Sequence, residues 1–279
     1  MKKVTAFFTL VIICLSLHAQ QTDSAAIRKN KKKITFTAGV AFNSGLNYYG
    51  RTDSLKSQGI YPFAGITLNN GLYVFSNFIF INNIIATSYG ATTIEAGYKF
   101  KNKKGNWRGN IFGARFFYNA DVSLVQAVVK EQAGLNLAHT NKIVGIYGGA
   151  DLKFSDQTDF GAYAGLDHSF RFDSVGKKGV IVISPSLYSY FGTQRYSKTW
   201  MQEKRFLFLP VGGQAVTESS NRTSLLSYEL SCPVIYGIGK MNFIVTPAYV
   251  IPRNVITPNG EAQKADNLFY TTAAIRFDF

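Results

Sequence analysis

The chain predicts an all-β fold: an antiparallel transmembrane β-barrel of about twelve strands, with ten or fourteen as the neighbouring counts. Three observations carry this. The closing stretch, 269–279, alternates at period two, with Phe269, Thr271, Ala273, Ile275, Phe277 and Phe279 on one side and Tyr270, Thr272, Ala274, Arg276 and Asp278 on the other. A strand shows its side chains alternately to two faces, so one face is apolar and the other charged, as lipid outside and water inside require. Next, the chain is 46% hydrophobic, yet its mean hydropathy is +0.00. Apolar and polar residues are interleaved, whereas a bundle of spanning helices would show long apolar blocks. Finally, 15% of residues are aromatic and glycine (25) far exceeds proline (7). Aromatic girdles at the two membrane interfaces and closely packed strands use residues in that ratio.

The N-terminus reads as a secretory signal peptide over 1–19. Lys2 and Lys3 are followed by an apolar run, Val4 to Leu17, broken only by Thr5, Thr9 and Ser16, and then by Leu17-His18-Ala19 ahead of Gln20. The run is shorter than the roughly 20 residues that a spanning helix needs. Cys14 follows Ile13 rather than a small residue, which argues against a lipid anchor. After processing only Cys232 remains, so no disulfide forms within the mature chain. Residues 20–33 read as a basic periplasmic tail carrying Arg28, Lys29, Lys31, Lys32 and Lys33, and 34–279 as the barrel. The formal net charge is +14, or +12 without Lys2 and Lys3. Such an excess suits anionic headgroups, cell-wall polymer or an anionic solute, or a solvated tail. No nucleic-acid motif accompanies it.

The strands follow in order. Residues 34–43 alternate, with Ile34, Phe36, Ala38, Val40 and Phe42 on one face, and a polar loop runs to about Gly59. Residues 60–69 place Ala64, Ile66 and Leu68 together, and Asn69-Asn70-Gly71 is a tight-turn signal before a strand over 72–82 that is apolar on both faces in places. Residues 91–100 put Ile94, Ala96, Tyr98 and Phe100 outward and Glu95 and Lys99 inward. After a basic turn, 101–106, the strand 107–118 is expected to put Phe112, Ala114, Phe116 and Tyr118 outward, with Arg115 inward. In 121–139, Val122, Val125, Val128 and Val129 match helical spacing and Ala133, Leu135 and Leu137 match a strand; a strand from 126 to 139 is favoured. Residues 143–154 turn Tyr147, Asp151 and Lys153 inward, and 159–172 turn Tyr163, Asp167, Ser169 and Arg171 inward. Residues 179–191 turn Ser184, Ser186, Tyr188 and Tyr190 inward. A long polar loop is expected over 192–222. Residues 223–236 place Leu226, Tyr228, Leu230, Cys232, Val234 and Tyr236 outward against Ser227, Glu229 and Ser231. A strand over 241–251 and a Pro/Asn/Gly loop over 252–266 precede the closing strand.

That closing strand, with Tyr270, Ile275, Phe277 and Phe279, resembles the C-terminal signature of Gram-negative outer-membrane β-barrels. The resemblance is porin-like in pattern and points to no subfamily. It implies residence in the outer membrane, contact with outer-membrane lipid, and recognition by the barrel-assembly machinery through the C-terminal strand. Short joins (69–71, 101–106, 139–142, 173–178, 237–240) alternate with long ones (44–59, 192–222, 252–266) as short periplasmic turns and longer external loops require. The joins near 83–90, 119–125 and 155–158 are external in this register and short, which makes the alternation imperfect.

The expected inward charges are Glu95, Lys99, Arg115, Asp151, Lys153, Asp167, Arg171, Glu229, Arg276 and Asp278. They fit a hydrated pathway for small solutes, anionic ones among them, or a salt-bridged interior that only fills a closed barrel. The 192–222 segment fits either a constriction folded into the pore or an external binding surface. No cofactor, catalytic or metal site is expected. His18 leaves with the leader, His139 falls at a turn, and Asp167 and His168 are adjacent and so point to opposite faces. No nucleophile-elbow, phosphate-loop or metal-ligand spacing appears. The sequence thus leaves a porin-like channel first, a non-conducting structural, adhesive or docking barrel second, and a membrane-embedded hydrolase third.

Overall fold

A computed structural model describes residues 34–48, 51–52, 57–84, 86–119, 129–155, 157–176, 178–206, 209–253, 255–256, 262–263 and 266–279. The expected leader, the basic tail and the ambiguous 121–128 stretch lie outside the described residues. The described residues form no helix and close into an antiparallel barrel of 12 strands. The strands are β1 (Ile34–Asn43), β2 (Gln58–Leu68), β3 (Leu72–Asn82), β4 (Thr87–Lys101), β5 (Trp107–Tyr118), β6 (Glu131–His139) and β7 (Gly145–Phe154). Three further strands each carry a two-residue break: β8 (Thr158–Asp167 and Phe170–Val175), β9 (Gly179–Ile183 and Ser186–Phe206) and β10 (Leu209–Ser231 and Val234–Ile238). β11 (Met241–Pro252) and β12 (Leu268–Asp278) complete the ring.

Each strand pairs with its neighbours in sequence, and β12 pairs with both β11 and β1. The seam runs from Thr37 opposite Asp278 to Asn43 opposite Thr272, and the Phe279 amide donates to the Phe36 carbonyl at 2.8 Å. Both ends of the described barrel therefore lie at one rim, called here the terminus-side rim.

The turns at that rim are short, and asparagines shape them. Asn141 Oδ1 accepts from the Ile143 and Val144 amides at 2.7 and 2.9 Å, and Asn70 Oδ1 accepts from the Leu72 amide at 3.1 Å. Gly71 holds φ at +99°, a conformation that a side chain disfavours, so it reverses β2 into β3.

The breaks in β8, β9 and β10 fall side by side. A proline cannot donate to a ladder, so here its carbonyl does the pairing. The amides of His168, Ser184 and Cys232 donate to the carbonyls of Pro185, Pro233 and Pro247 at 3.1, 2.9 and 3.1 Å.

The structure corrects three expectations. The segment 192–222 is a β-ribbon rather than a loop: β9 and β10 stay paired to Phe206 opposite Leu209. The wall partners stop earlier, at Gly161 opposite Gly192 on one side and Ser227 opposite Pro252 on the other. Beyond them the ribbon continues roughly 45 Å at about 3.4 Å per residue, away from the terminus-side rim. Leu226 is the extra residue of a β-bulge. Leu225 opposes Phe191 and Ser227 opposes Tyr190, so Leu226 turns inward and is buried against Tyr190. The described part of the 126–139 strand begins at Glu131.

The outward face is an apolar band, with Phe36, Ile66, Val74, Ile111, Leu152 and Ile275 all exposed. Exposed apolar side chains on every strand of a closed barrel mark a lipid-facing surface.

Candidate functional site

Polar and titratable side chains collect on the inner wall, which is therefore the candidate site. Its most ordered part is a belt of hydrogen bonds from β8 to β3. The Tyr163 hydroxyl donates to Asn136 Oδ1 (3.0 Å), Asn136 Nδ2 to Asn110 Oδ1 (3.2 Å), and Asn110 Nδ2 to the Tyr73 hydroxyl (3.0 Å). The Tyr73 hydroxyl in turn donates to Glu95 Oε1 (2.7 Å). Twice the belt skips a strand, and each time a glycine lies beneath the tyrosine. A Cβ at Gly97 would stand 2.7 Å from Tyr73 Cζ, and one at Gly149 would stand 2.5 Å from Asn136 Oδ1. Those close approaches need the absence of a side chain. Beside the belt, Tyr147, Tyr163, Tyr188 and Tyr190 form a continuous aromatic patch with centroid separations of 6.2–6.3 Å.

A second inner region is apolar. Tyr61, Phe63, Ile79, Ile81, Ile244 and Ala274 are buried in one cluster spanning β2, β3, β11 and β12, and Leu46 from the β1–β2 connection joins it. Its inward direction follows from the register: Phe63 opposes Gly39 and Asn77, while their outward neighbours Val40 and Phe78 are exposed.

The structure places the expected charges as follows. Glu95 accepts from Tyr73, and Lys99 Nζ sits over the Tyr73 and Phe75 rings at 4.8 and 5.3 Å. Lys153 Nζ contacts Asp151 Oδ2 at 2.6 Å, with side chains 5% and 13% exposed, so this is a buried ion pair. Asp167 accepts from the Tyr147 hydroxyl at 2.9 Å, and Glu229 from the Tyr270 hydroxyl at 3.0 Å. Asp278 accepts from Thr37 Oγ1 at 2.8 Å, Arg276 Nε at 3.1 Å and Asn242 Nδ2 at 3.3 Å, which ties β1, β11 and β12 together near the rim. Arg171 lies below the break in β8 and pairs with Asp173 at 2.9 Å, on the rim rather than within the lumen.

Arg115 is a correction. It opposes outward Ile94, pairs with Glu131 at 3.4 Å and stacks on Phe117 at 5.6 Å, all on the outer face. β5 is apolar on both faces. What decides its register is the aromatic pair Trp107 and Phe117 at the two ends of its outer face, while Arg108 and Asn110 mark the inner one.

Two inner charges escaped the sequence reading. Arg108 shares its face with Asn110, and Asp159 opposes Lys153. Alternation alone would have found both, Asp159 by counting back from Tyr163. The histidines sit elsewhere. His139 packs on Trp107 on the outer face (4.7 Å), and His168 packs on Phe170 (4.5 Å) with Nδ1 2.5 Å from the Ile143 carbonyl. Among the described residues no group of three or more His, Cys, Asp or Glu side chains is placed to hold a metal ion.

No protein-family model matches the chain, and no curated protein matches it. Solved structures resemble it in fold. An outer-membrane channel from Pseudomonas putida F1 aligns with a TM-score of 0.49 at 10% identity, over 93% of this chain and 100% of that one. The KdgM porin aligns at 0.48 with 8% identity, over 88% and 99%. The NanC porin aligns at 0.45 with 10% identity, over 87% and 98%.

Proposed function

We propose that this chain is a porin-like channel of the outer membrane that passes small solutes. The observation that supports it is the division of the wall: a lipid-suited apolar band outside, and a hydrogen-bonded, charged lining inside a closed ring of 12 strands. A lining of that kind replaces part of a solute's hydration shell and selects by charge and width. The chain is read as a conduit, with outer-membrane lipid around it and the barrel-assembly machinery recognising its closing strand. The test is single-channel conductance of the refolded chain in a planar bilayer, with the heat-dependent gel shift of a closed barrel as the folding control. Discrete conductance steps are expected. A folded barrel that stays silent overturns the channel reading.

A second reading has its own support. The buried inner cluster around Phe63 and Ile81 fills part of the interior, and the β9–β10 ribbon extends past the wall. Both suit a non-conducting barrel that docks a partner. Deleting the ribbon beyond Gly192 and Ser224 then abolishes partner capture and creates no conductance, whereas a channel keeps conducting.

A further inference from the structure

The charge of the inner wall changes along the barrel axis. At the terminus-side rim three cations stand on the inner face within two residues of their strand ends: Lys99 of β4, Arg108 of β5 and Arg276 of β12. Lys99 sits over the neutral Tyr73 and Phe75 rings, with Glu95, deeper on the same face of β4, and Asp278 as the nearest acids acting on it. Just beyond lie exposed Lys101, Lys103, Lys104, Lys142, Lys178 and Lys240, on or beside four of the five turns at this rim. With Arg171 included, basic side chains outnumber acidic ones ten to three among the described residues here, the acids being Asp167, Asp173 and Asp278. The inner face toward the opposite mouth carries Lys153 between Asp151 and Asp159, one cation against two acids.

We propose that the channel prefers small anions and that the terminus-side mouth sets the preference. This rests on the channel reading above. A ring of like charge at a low-dielectric mouth focuses its field into the opening and raises the local concentration of counter-ions. On the inner wall alone the charge falls from three cations against two acids (Asp167 and Asp278) at this rim to one cation against two acids toward the other, so the conductance is also asymmetric in voltage.

The test compares three proteins in bilayers of zwitterionic lipid under a potassium chloride gradient. These are the native chain, the turn variant Lys101→Glu/Lys103→Glu/Lys104→Glu, and the far-end control Arg253→Glu. All substituted residues are exposed; Lys101 stands at the last rung of the β4–β5 ladder, opposite Arg108, and the others lie beyond the wall pairing, and the gel shift confirms that each barrel closes. The native chain is expected to show a reversal potential of anion-preferring sign. The turn variant lowers the chloride-to-potassium permeability ratio roughly threefold near 0.1 M salt, where charges act over about 10 Å. Arg253→Glu leaves the ratio unchanged. A conducting but unselective or cation-preferring native channel overturns this inference alone, as does an equal response to both variants. A silent barrel overturns the channel reading together with it.

Discussion

The belt and the buried apolar cluster occupy neighbouring parts of one inner wall and hold it by different means. The belt, from Tyr163 to Glu95, depends on direction: each hydroxyl or amide has one partner to give to, and two glycines must stay bare for the tyrosines to reach. The cluster around Phe63 and Ile81 depends on volume, and its members share one contact surface. Hydrogen bonds fix which strand lies opposite which. Apolar packing supplies more free energy per side chain but tolerates rearrangement.

The largest effect is expected from Phe63→Ala in the apolar cluster. It removes a buried ring, also the one lying over Gly39, and lowers stability by about 3–5 kcal/mol, read as an earlier midpoint in a urea titration followed by the gel shift. Lys153→Met comes next. It removes the cation beside both Asp151 and the opposed Asp159 and costs about 3 kcal/mol; adding Asp151→Asn recovers part of that in the same titration, and no recovery at all would show that the pair is not coupled. In the belt, Tyr73→Phe leaves Glu95 and Asn110 each without the hydroxyl and costs about 1–3 kcal/mol with little change of volume. If it proves as costly as Phe63→Ala, the contrast between direction and volume collapses. The smallest effect belongs to Arg115→Ala. Its pair with Glu131 is exposed on the outer face, and no shift of the urea midpoint is expected.

Strand positions and most facings were legible in the sequence because lipid demands an apolar residue at every second position, and that demand is local. β5 misled because Phe112, Phe116 and Tyr118 are as apolar as the outward set; the inner wall accepts aromatics wherever they can pack, so hydrophobicity alone did not mark the outside. The ribbon reads as a loop in the sequence for a related reason. Its strands pair beyond the wall, where no lipid imposes alternation, and backbone pairing leaves no trace in hydropathy. The belt was invisible from sequence because its links depend on register: Asn110 and Tyr73 are 37 residues apart, and their meeting requires Gly97 on the strand between them. The charges that alternation placed inward were easier, since each needed only its neighbour's parity.

The seam carries a consequence for how this molecule comes into being. Thr37 and Asp278 are separated by 241 residues, and the wall is a closed hoop only after β12 has joined β1. Contacts so distant along the chain are the slowest to form, because the loop entropy must be lost before they give anything back. A nascent chain therefore has two raw strand edges until its last segment is made, and those edges invite pairing with other chains. Closure is a late, all-at-once event, and assembly errors should concentrate at this one join rather than spread around the ring.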